Sequence, residues 1–244
     1  MNLIYDVGNT STKVAVYDGN KKKFALSARE YRVEKLEEVF APLMGDLKRA
    51  IISTVRDTPD FVIDIALLGI PYTLVFSQHT KLPFRNEYET PATLGSDRLA
   101  AVTGAYFLYP GRNVLIIDAG SAVTYDYLSG KSYKGGNISP GLNMRFKALH
   151  HFTGRLPLGS TLQKYSSPGK STMEAISAGV TDGLIFEIDS YIRSFRAEKT
   201  DSTVILTGGD SAYLRERLYC EVDHQPDLVL DGLNHILEYN ANQA

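Results

Sequence analysis

Chemistry that depends on paired cysteines or clustered histidines is closed to this chain. Its one cysteine, Cys220, excludes an intrachain disulfide and any multi-cysteine metal site, and suits a reducing compartment. As a lone thiol in an apolar helical context it is better explained as small core filler. The 5 histidines show no ligand spacing, and His150 and His151, being adjacent, point apart on a helix. A large charge excess is missing too. A formal net charge of −2 and a pI of about 6.2 offer nothing to attract a polyanion. Nucleic acid and membrane surfaces are therefore not expected partners. The opening residues, Met1-Asn2-Leu3-Ile4-Tyr5-Asp6, lack the basic and apolar regions of a signal peptide. No apolar run is long enough to span a bilayer. A cytoplasmic location is the expectation.

Two familiar nucleotide signatures are also absent. There is no Gly-x-x-x-x-Gly-Lys-[Ser/Thr], which removes the P-loop, and no strand-borne Gly-x-Gly-x-x-Gly, which removes the dinucleotide fingerprint. Neither a low-complexity tract nor a Gly/Ser-rich linker interrupts the chain. What is present is ordinary globular composition over 244 residues. That length suffices for one large domain or two modest ones, each burying its own core.

Leu3–Asp6 reads as a strand and Thr12–Tyr17 as another, joined by the polar turn Gly8-Asn9-Thr10-Ser11. The second strand alternates Lys13, Ala15 and Tyr17 against Val14 and Val16, the pattern of a half-buried strand. Asp18-Gly19 signals a hairpin before Phe24-Ala25-Leu26, with Lys21-Lys22-Lys23 as its solvated tip. Glu34–Met44 has helical spacing, Ala50–Val55 is a short buried strand, Phe61–Leu68 a helix and Tyr72–Phe76 a strand. Phe84–Leu94 reads as irregular, and Ser96 as the cap of a helix containing Leu99, Val102, Ala105 and Tyr106. The pattern then restarts, with strands at Asn113–Asp118 and Val123–Leu128 closed by the turn Ser129-Gly130. A helix from about Thr172 to Phe195, a buried strand Thr203–Leu206 and further helices follow.

Both halves thus begin with a strand, an Asp-x-Gly-polar turn and a returning strand: Asp6-Val7-Gly8-Asn9-Thr10 and Asp118-Ala119-Gly120-Ser121-Ala122. A weak repeat of this kind suggests two similar domains, 1–111 and 112–244, facing each other across a cleft. The boundary falls at the turn signal Pro110-Gly111-Arg112.

A glycine in a tight turn lets backbone amides approach an anion, and neighbouring hydroxyls add donors. A carboxylate ending the preceding strand can hold a cation that bridges to phosphate. For a single motif, an Asx turn in a hairpin is the better explanation. Finding the pairing twice, at Asp6 and at Asp118, makes that explanation the weaker one. Thr207-Gly208-Gly209-Asp210 is a third candidate nucleotide element, evenly balanced against an ordinary strand-to-helix turn. Gly95-Ser96-Asp97-Arg98 sets a carboxylate and a guanidinium at a helix start. The Asp can accept a hydroxyl proton and the Arg can bind a carboxylate or phosphate, but a plain helix start explains the residues equally well. Gly135-Gly136-Asn137-Ile138-Ser139-Pro140-Gly141 reads as a turn leading into a helix, with a structural crossover as its ordinary explanation. Ser171-Thr172-Met173-Glu174 matches a capping box, so helix initiation is the first explanation for Thr172.

Taken in order, these motifs resemble the type III pantothenate kinases of the sugar kinase, Hsp70 and actin superfamily. The resemblance runs essentially the length of the chain. It rests on Asp6-x-Gly8-Asn9-Thr10, Asn86-x-Tyr88, Gly95-x-Asp97-Arg98, Asp118-x-Gly120-Ser121-Ala122, Gly135-Gly136-x-Ile138-x-Pro140-Gly141, Thr172 and Thr207-Gly208-Gly209. It implies an α/β protein of two actin-like (ribonuclease H-like) domains, each a mixed β-sheet flanked by helices, with the nucleotide cleft between them. It also implies transfer of the ATP γ-phosphoryl group to the terminal hydroxyl of pantothenate. On that resemblance Asp6, Val7, Gly8, Asn9, Thr10, Ser11, Thr12 and Lys13 wrap the ATP phosphates, with Ser121, Gly208 and Gly209 also on the nucleotide. Asp97 takes the hydroxyl proton, while Tyr88, Gly95, Ser96, Asp97, Arg98 and Thr172 bind pantothenate. Mg²⁺ accompanies ATP near Asp6, and Asp118 holds a monovalent cation, K⁺ or NH₄⁺. A homodimer is implied as well. Ser121 stands where the family commonly has Thr; the hydroxyl donor survives and only a methyl is lost.

Two alternatives share these motifs. A kinase for another hydroxylated small molecule would keep the phosphate turns and differ around Tyr88 and Gly95–Arg98. A non-catalytic ATP-binding regulator on the same fold would erode the acidic residues, whereas Asp6, Asp97 and Asp118 are all intact.

Overall fold

Strands that are buried on both sides need cover on both faces. The run Asn2-Leu3-Ile4-Tyr5-Asp6-Val7, buried at every position, is such a strand. The computed structural model describes residues 1–28, 41–55, 69–199 and 201–243. The chain divides into two units: Met1–Gly111 with Gly130–Lys134 and Asp227–Ala244, and Arg112–Ser129 with Gly135–Pro226. Gly130–Lys134 and Asp227–Ala244, which the sequence reading assigned to the second domain, therefore cluster with the first unit.

In the first unit β1 (Asn2–Val7) pairs antiparallel with β2 (Thr12–Asp18), which pairs with β3 (Lys21–Ala28). On its other side β1 pairs in parallel with β4 (Arg49–Thr54), and β4 with β5 (Tyr72–Val75). Lys21–Lys23 are not a hairpin tip. The reversal is confined to Gly19-Asn20, so the lysines enter β3, where Lys22 lies opposite Tyr17 and forms an ion pair with Asp227. One face of the sheet forms a core of Leu3, Tyr5, Val7, Val14, Val16, Ala50 and Ile52. The other face meets the C-terminal helix, Leu228–Ala241. Asn2 Nδ2 donates to Asn234 Oδ1 at 2.8 Å, Tyr17 Oη to Asp231 Oδ1 at 2.6 Å, and Arg49 Nη1 to Glu238 Oε2 at 2.6 Å. These polar bonds on an otherwise buried face tie the last helix to the first unit. Of the expected helix Glu34–Met44, residues 34–40 lie outside the described residues, as does Phe61–Leu68; Ala41–Asp46 is a 3₁₀ helix.

Within Phe84–Leu94 two residues form β6 (Arg85–Asn86), in parallel register with Ser132 and Tyr133. α1 (Ser96–Leu108) then begins with Gly95, not Ser96, in the capping position. The Ser96 hydroxyl instead faces the Ser53 hydroxyl at 3.1 Å.

The second unit repeats the plan. β7 (Asn113–Ala119) pairs antiparallel with β8 (Ala122–Ser129) and in parallel with β10 (Ser202–Thr207). β9 (Ser132–Pro140), whose first three residues cluster with the first unit, lies beside β8, and β11 (Asp223–His224) beside β10. The glycine-rich segment expected to be a turn is therefore mostly strand. Its Gly135 takes φ +100°, a conformation open to glycine, so the ladder continues across it. α2 (Leu142–Phe152), α3 (Thr172–Glu198) and the short α4 (Ser211–Arg215) complete the unit. Leu115, Ile117 and Ala119 of β7 face a core with Phe146, Leu184, Ile188 and Ile192. Among the described residues no helix is long and apolar enough to cross a membrane.

α1 and the C-terminal helix cross backbone to backbone. A Cβ on Gly232 would lie 1.9 Å from the Ala100 carbonyl oxygen, whereas one on Gly183, within α3, meets nothing within 4 Å. Gly232→Ala should destabilise the protein by about 2 kcal/mol through overpacking. Gly183→Ala should be neutral or stabilising by up to about 1 kcal/mol. Urea unfolding midpoints of the two variants check the contrast.

Candidate active site

Register puts three polar side chains abreast at one end of the first sheet. Asp6 of β1 lies opposite Lys13 on β2 and Ser53 on β4, on the same face. Asp6 and Ser53 are both buried. Burial pushes the Asp6 carboxyl up to about 6, against the pull of the Lys13 ammonium and a hydrogen bond from Ser53; repulsion from the Asp97 carboxylate adds a smaller upward push. The turn that follows is closed by the Gly8 N–H donating to the Ser11 carbonyl at 3.0 Å. A Cβ on Gly8 would come within 3.1 Å of that same oxygen, so the turn suits glycine.

The start of α1 comes to this end of the sheet. Ser96 Oγ meets Ser53 Oγ, and Asp97 Oδ1 accepts the Arg98 N–H at 2.8 Å. Gly95 makes room for that fold-back, since a Cβ there would lie 2.4 Å from Asp97 Oδ1. A continuous set, Asp6–Ser53–Ser96–Asp97, thus stands at the C-terminal ends of the parallel strands β1 and β4. Open α/β sheets bind ligands at this edge.

Beside it lies an aromatic and cationic group. Arg98 is 5% exposed and donates from Nη2 to the Tyr133 hydroxyl at 2.9 Å. Its guanidinium lies 5.6 Å from the centre of the Tyr88 ring, and Tyr88 stacks on Tyr133 with centroids 6.3 Å apart. Asn86 fixes the approach, its Oδ1 accepting the Tyr88 N–H at 3.0 Å. The pairing of β6 with β9 brings Tyr133 to this spot from far along the chain.

The second unit carries its own cluster. Asp118 of β7 lies opposite Thr124 on β8 and Thr207 on β10. Gly208, at φ +97°, runs against it; a Cβ there would be 2.4 Å from Asp118 Oδ1. The adjacent loop is tied down by the Asp210 N–H donating to the Ala119 carbonyl and by Ser211 Oγ donating to the Gly208 carbonyl at 2.6 Å. The Gly120-Ser121 turn is packed by Gly141, whose Cβ would fall 2.3 Å from the Gly120 oxygen. Ser121 and Gly209 are exposed beside these anchors, and Thr172 is exposed at the first position of α3, behind its cap Ser171. Among the described residues no group of three or more His, Cys, Asp or Glu could hold a metal ion. Any cation here relies on a carboxylate or two with neutral oxygens.

Sequence reasoning passed over Ser53 and Tyr133. Ser53 had a signal, a hydroxyl in the apolar run Ile51-Ile52-Ser53-Thr54-Val55. Tyr133 had none, because it reaches Arg98 through a pairing only two residues long.

Residues 2–194 match the sequence model of a family described as type III pantothenate kinase. A curated type III pantothenate kinase of Bacteroides fragilis is 43% identical over 242 residues, covering 98% of both chains. One from Porphyromonas gingivalis is 45% identical over 244 residues, covering 98% of this chain and 99% of its own. Among solved structures, a Campylobacter jejuni protein assigned to the Baf family of transcriptional activators is similar with a TM-score of 0.63 at 21% identity, over 98% of this chain and 99% of that one. A glucokinase from an Antarctic psychrotroph is similar with a TM-score of 0.53 at 8% identity, over 98% of each chain. At these identities the structural likenesses show the actin-like α/β fold alone.

Because its carboxyl is raised to about 6, Asp6 favours folding while protonated and loses that advantage as pH climbs through its folded value. In nucleotide-free buffer without divalent ions, wild type should lose on the order of 3 kcal/mol relative to Asp6→Asn between about pH 4 and pH 7. Urea unfolding of both proteins across that range measures the difference. Parallel stability curves contradict the burial effect.

Proposed function

This chain belongs to the type III pantothenate kinase family, and we propose that it transfers the γ-phosphoryl group of ATP to the terminal hydroxyl of pantothenate, a first step toward coenzyme A. The observation that carries this reading is the hydrogen-bonded set from Asp6 through Ser53 and Ser96 to the helix turn bearing Asp97. It joins a glycine turn suited to phosphate with a carboxylate suited to an acceptor hydroxyl.

In this reading the segment Asp6–Lys13 binds the phosphates. The Gly8 turn presents backbone amides and the Thr10 and Ser11 side chains present hydroxyls, while Lys13 contributes positive charge. Ser121, Gly208 and Gly209 take further parts of the nucleotide. Tyr88, Gly95, Ser96, Arg98 and Thr172 bind pantothenate, with Arg98 held in place by Tyr133. As the hydroxyl oxygen bonds to the γ-phosphorus and the bond to the ADP oxygen breaks, the hydroxyl proton passes to Asp97. The transition state is loose, so fixing acceptor and donor in line contributes more than the strength of the base.

A carboxyl that burial has pushed up to about 6 favours a neighbouring positive charge, which fits Mg²⁺ near Asp6. Bound there with ATP, Mg²⁺ supplies charge neutralisation at the phosphate oxygens. Asp118, one carboxylate among threonine oxygens, fits a monovalent cation such as K⁺ or NH₄⁺. The homodimer we propose is supported by exposed apolar side chains on the second unit, Ile138, Met144 and Phe186, 65%, 48% and 59% accessible. The reading puts the reaction in the cytoplasm, where ATP is made and thiols stay reduced.

Asp97→Asn should lower kcat by about 10²–10⁴-fold in a pantothenate-dependent ADP-release assay. Its ATP affinity by calorimetry should stay within about threefold of wild type, because Asp97 meets the acceptor side. Wild-type kcat in this variant removes Asp97 as the base.

A further inference from the structure

Two hydroxyls beside Asp118 have no use in the protein's own hydrogen bonding. Thr124 Oγ1 and Thr207 Oγ1 are both buried and without a hydrogen-bond partner. Thr207 is only 1% exposed. Buried polar atoms in folded proteins are nearly always satisfied, so an orphan at the end of a well-formed sheet calls for a cause. Register supplies the geometry. Thr124 and Thr207 are the residues directly opposite Asp118 on its two neighbouring strands, so the three side chains stand in one row on one face. A threonine beside a carboxylate at that spacing ordinarily donates to it. Here neither hydroxyl does.

The ligand this row suits follows from its chemistry. The row itself offers one carboxylate between two neutral hydroxyls, oxygen donors only; the buried Asp126 stands two residues along β8 on the same face. Soft transition metals prefer sulfur or imidazole, and no such group joins the row. Mg²⁺ demands near-ideal octahedral geometry and gives up its waters reluctantly, so two fixed strand hydroxyls suit it poorly. A larger, weakly hydrated monovalent ion accepts neutral oxygens at longer, looser distances. Each hydroxyl can turn a lone pair to such an ion. The wall behind is fixed, because Gly208 packs against Asp118 and is itself held by Ser211.

Resting on the reading of Asp118 as a monovalent-cation site, we infer that Thr124 and Thr207 are further ligands of that ion, their neutral hydroxyls adding to its oxygen shell. Ser121 and the rest of the nucleotide turn are not needed for this role.

The test is thermal unfolding of the enzyme loaded with Mg²⁺ and ADP, titrated with KCl against tetramethylammonium chloride at constant ionic strength. Wild type, Thr207→Val, Thr124→Val and Asp118→Asn are compared; valine keeps the threonine shape and suits a strand. KCl should raise the wild-type Tm by linkage. The KCl concentration giving half the shift should rise roughly tenfold in either valine variant, as expected for loss of a supporting ligand. Without K⁺ the valine variants should be at least as stable as wild type, since no hydrogen bond is lost. If Asp118→Asn abolishes the response and both valine variants keep the wild-type midpoint, the threonines hold a water or nothing, and the inference fails while the Asp118 reading stands. If Asp118→Asn keeps the wild-type response, the cation reading of Asp118 fails with it.

Discussion

Strand register is the constraint on which the chemistry of this protein depends. Side chains alternate along a strand, so a slip of one residue between β1 and β4 would carry Ser53 to the opposite face from Asp6. The same slip between β7 and β10 would separate Thr207 from Asp118. Hydrophobic alternation fixes both pairings. Leu3, Tyr5 and Val7 must face the first core while Ile4 and Asp6 face the other way; Leu115, Ile117 and Ala119 do the same in the second. The acids stand in place because the apolar residues on either side of them, Tyr5 and Val7 for Asp6 and Ile117 and Ala119 for Asp118, have only one place to go.

Burial then gives Asp6 its character. Asp6 sits among buried strands with Lys13, Ser53 and the Asp97 carboxylate as its charged and polar company, and desolvation wins over the favourable contacts. A carboxyl held in that condition gains from any cation that arrives. The Asp118 row differs in having hydroxyls rather than an ammonium as neighbours. One fold device, the strand ending in Asp-x-Gly, therefore gives its acid two unlike settings according to what the flanking strands contribute.

The sequence disclosed the local part of this design. Both Asp-x-Gly turns, the strands around them and the long helix from Thr172 are read from patterns within about ten residues, and the structure has them. What escaped is what depends on distant pairing. Gly135–Pro140 looks like a turn because it is rich in glycine and proline, yet strand pairing with β8 holds it extended. Ser96 looks like a cap, but Ser53, brought by β4, draws its hydroxyl elsewhere. The C-terminal helix belongs with β1 through Asn2 and Asn234, two residues no local window connects. Tyr133 reaches Arg98 by the same kind of remote route.

In the proposed reaction the ordered acids serve phosphoryl transfer to pantothenate. Incubating the purified protein with Mg²⁺-ATP and pantothenate in potassium buffer, and identifying products by mass spectrometry, tests it most directly. Phosphopantothenate and ADP should form in equal amounts, with no ADP formed when pantothenate is left out. A protein that binds ATP but yields no phosphopantothenate, or that releases ADP at the same rate without pantothenate, contradicts the proposed reaction.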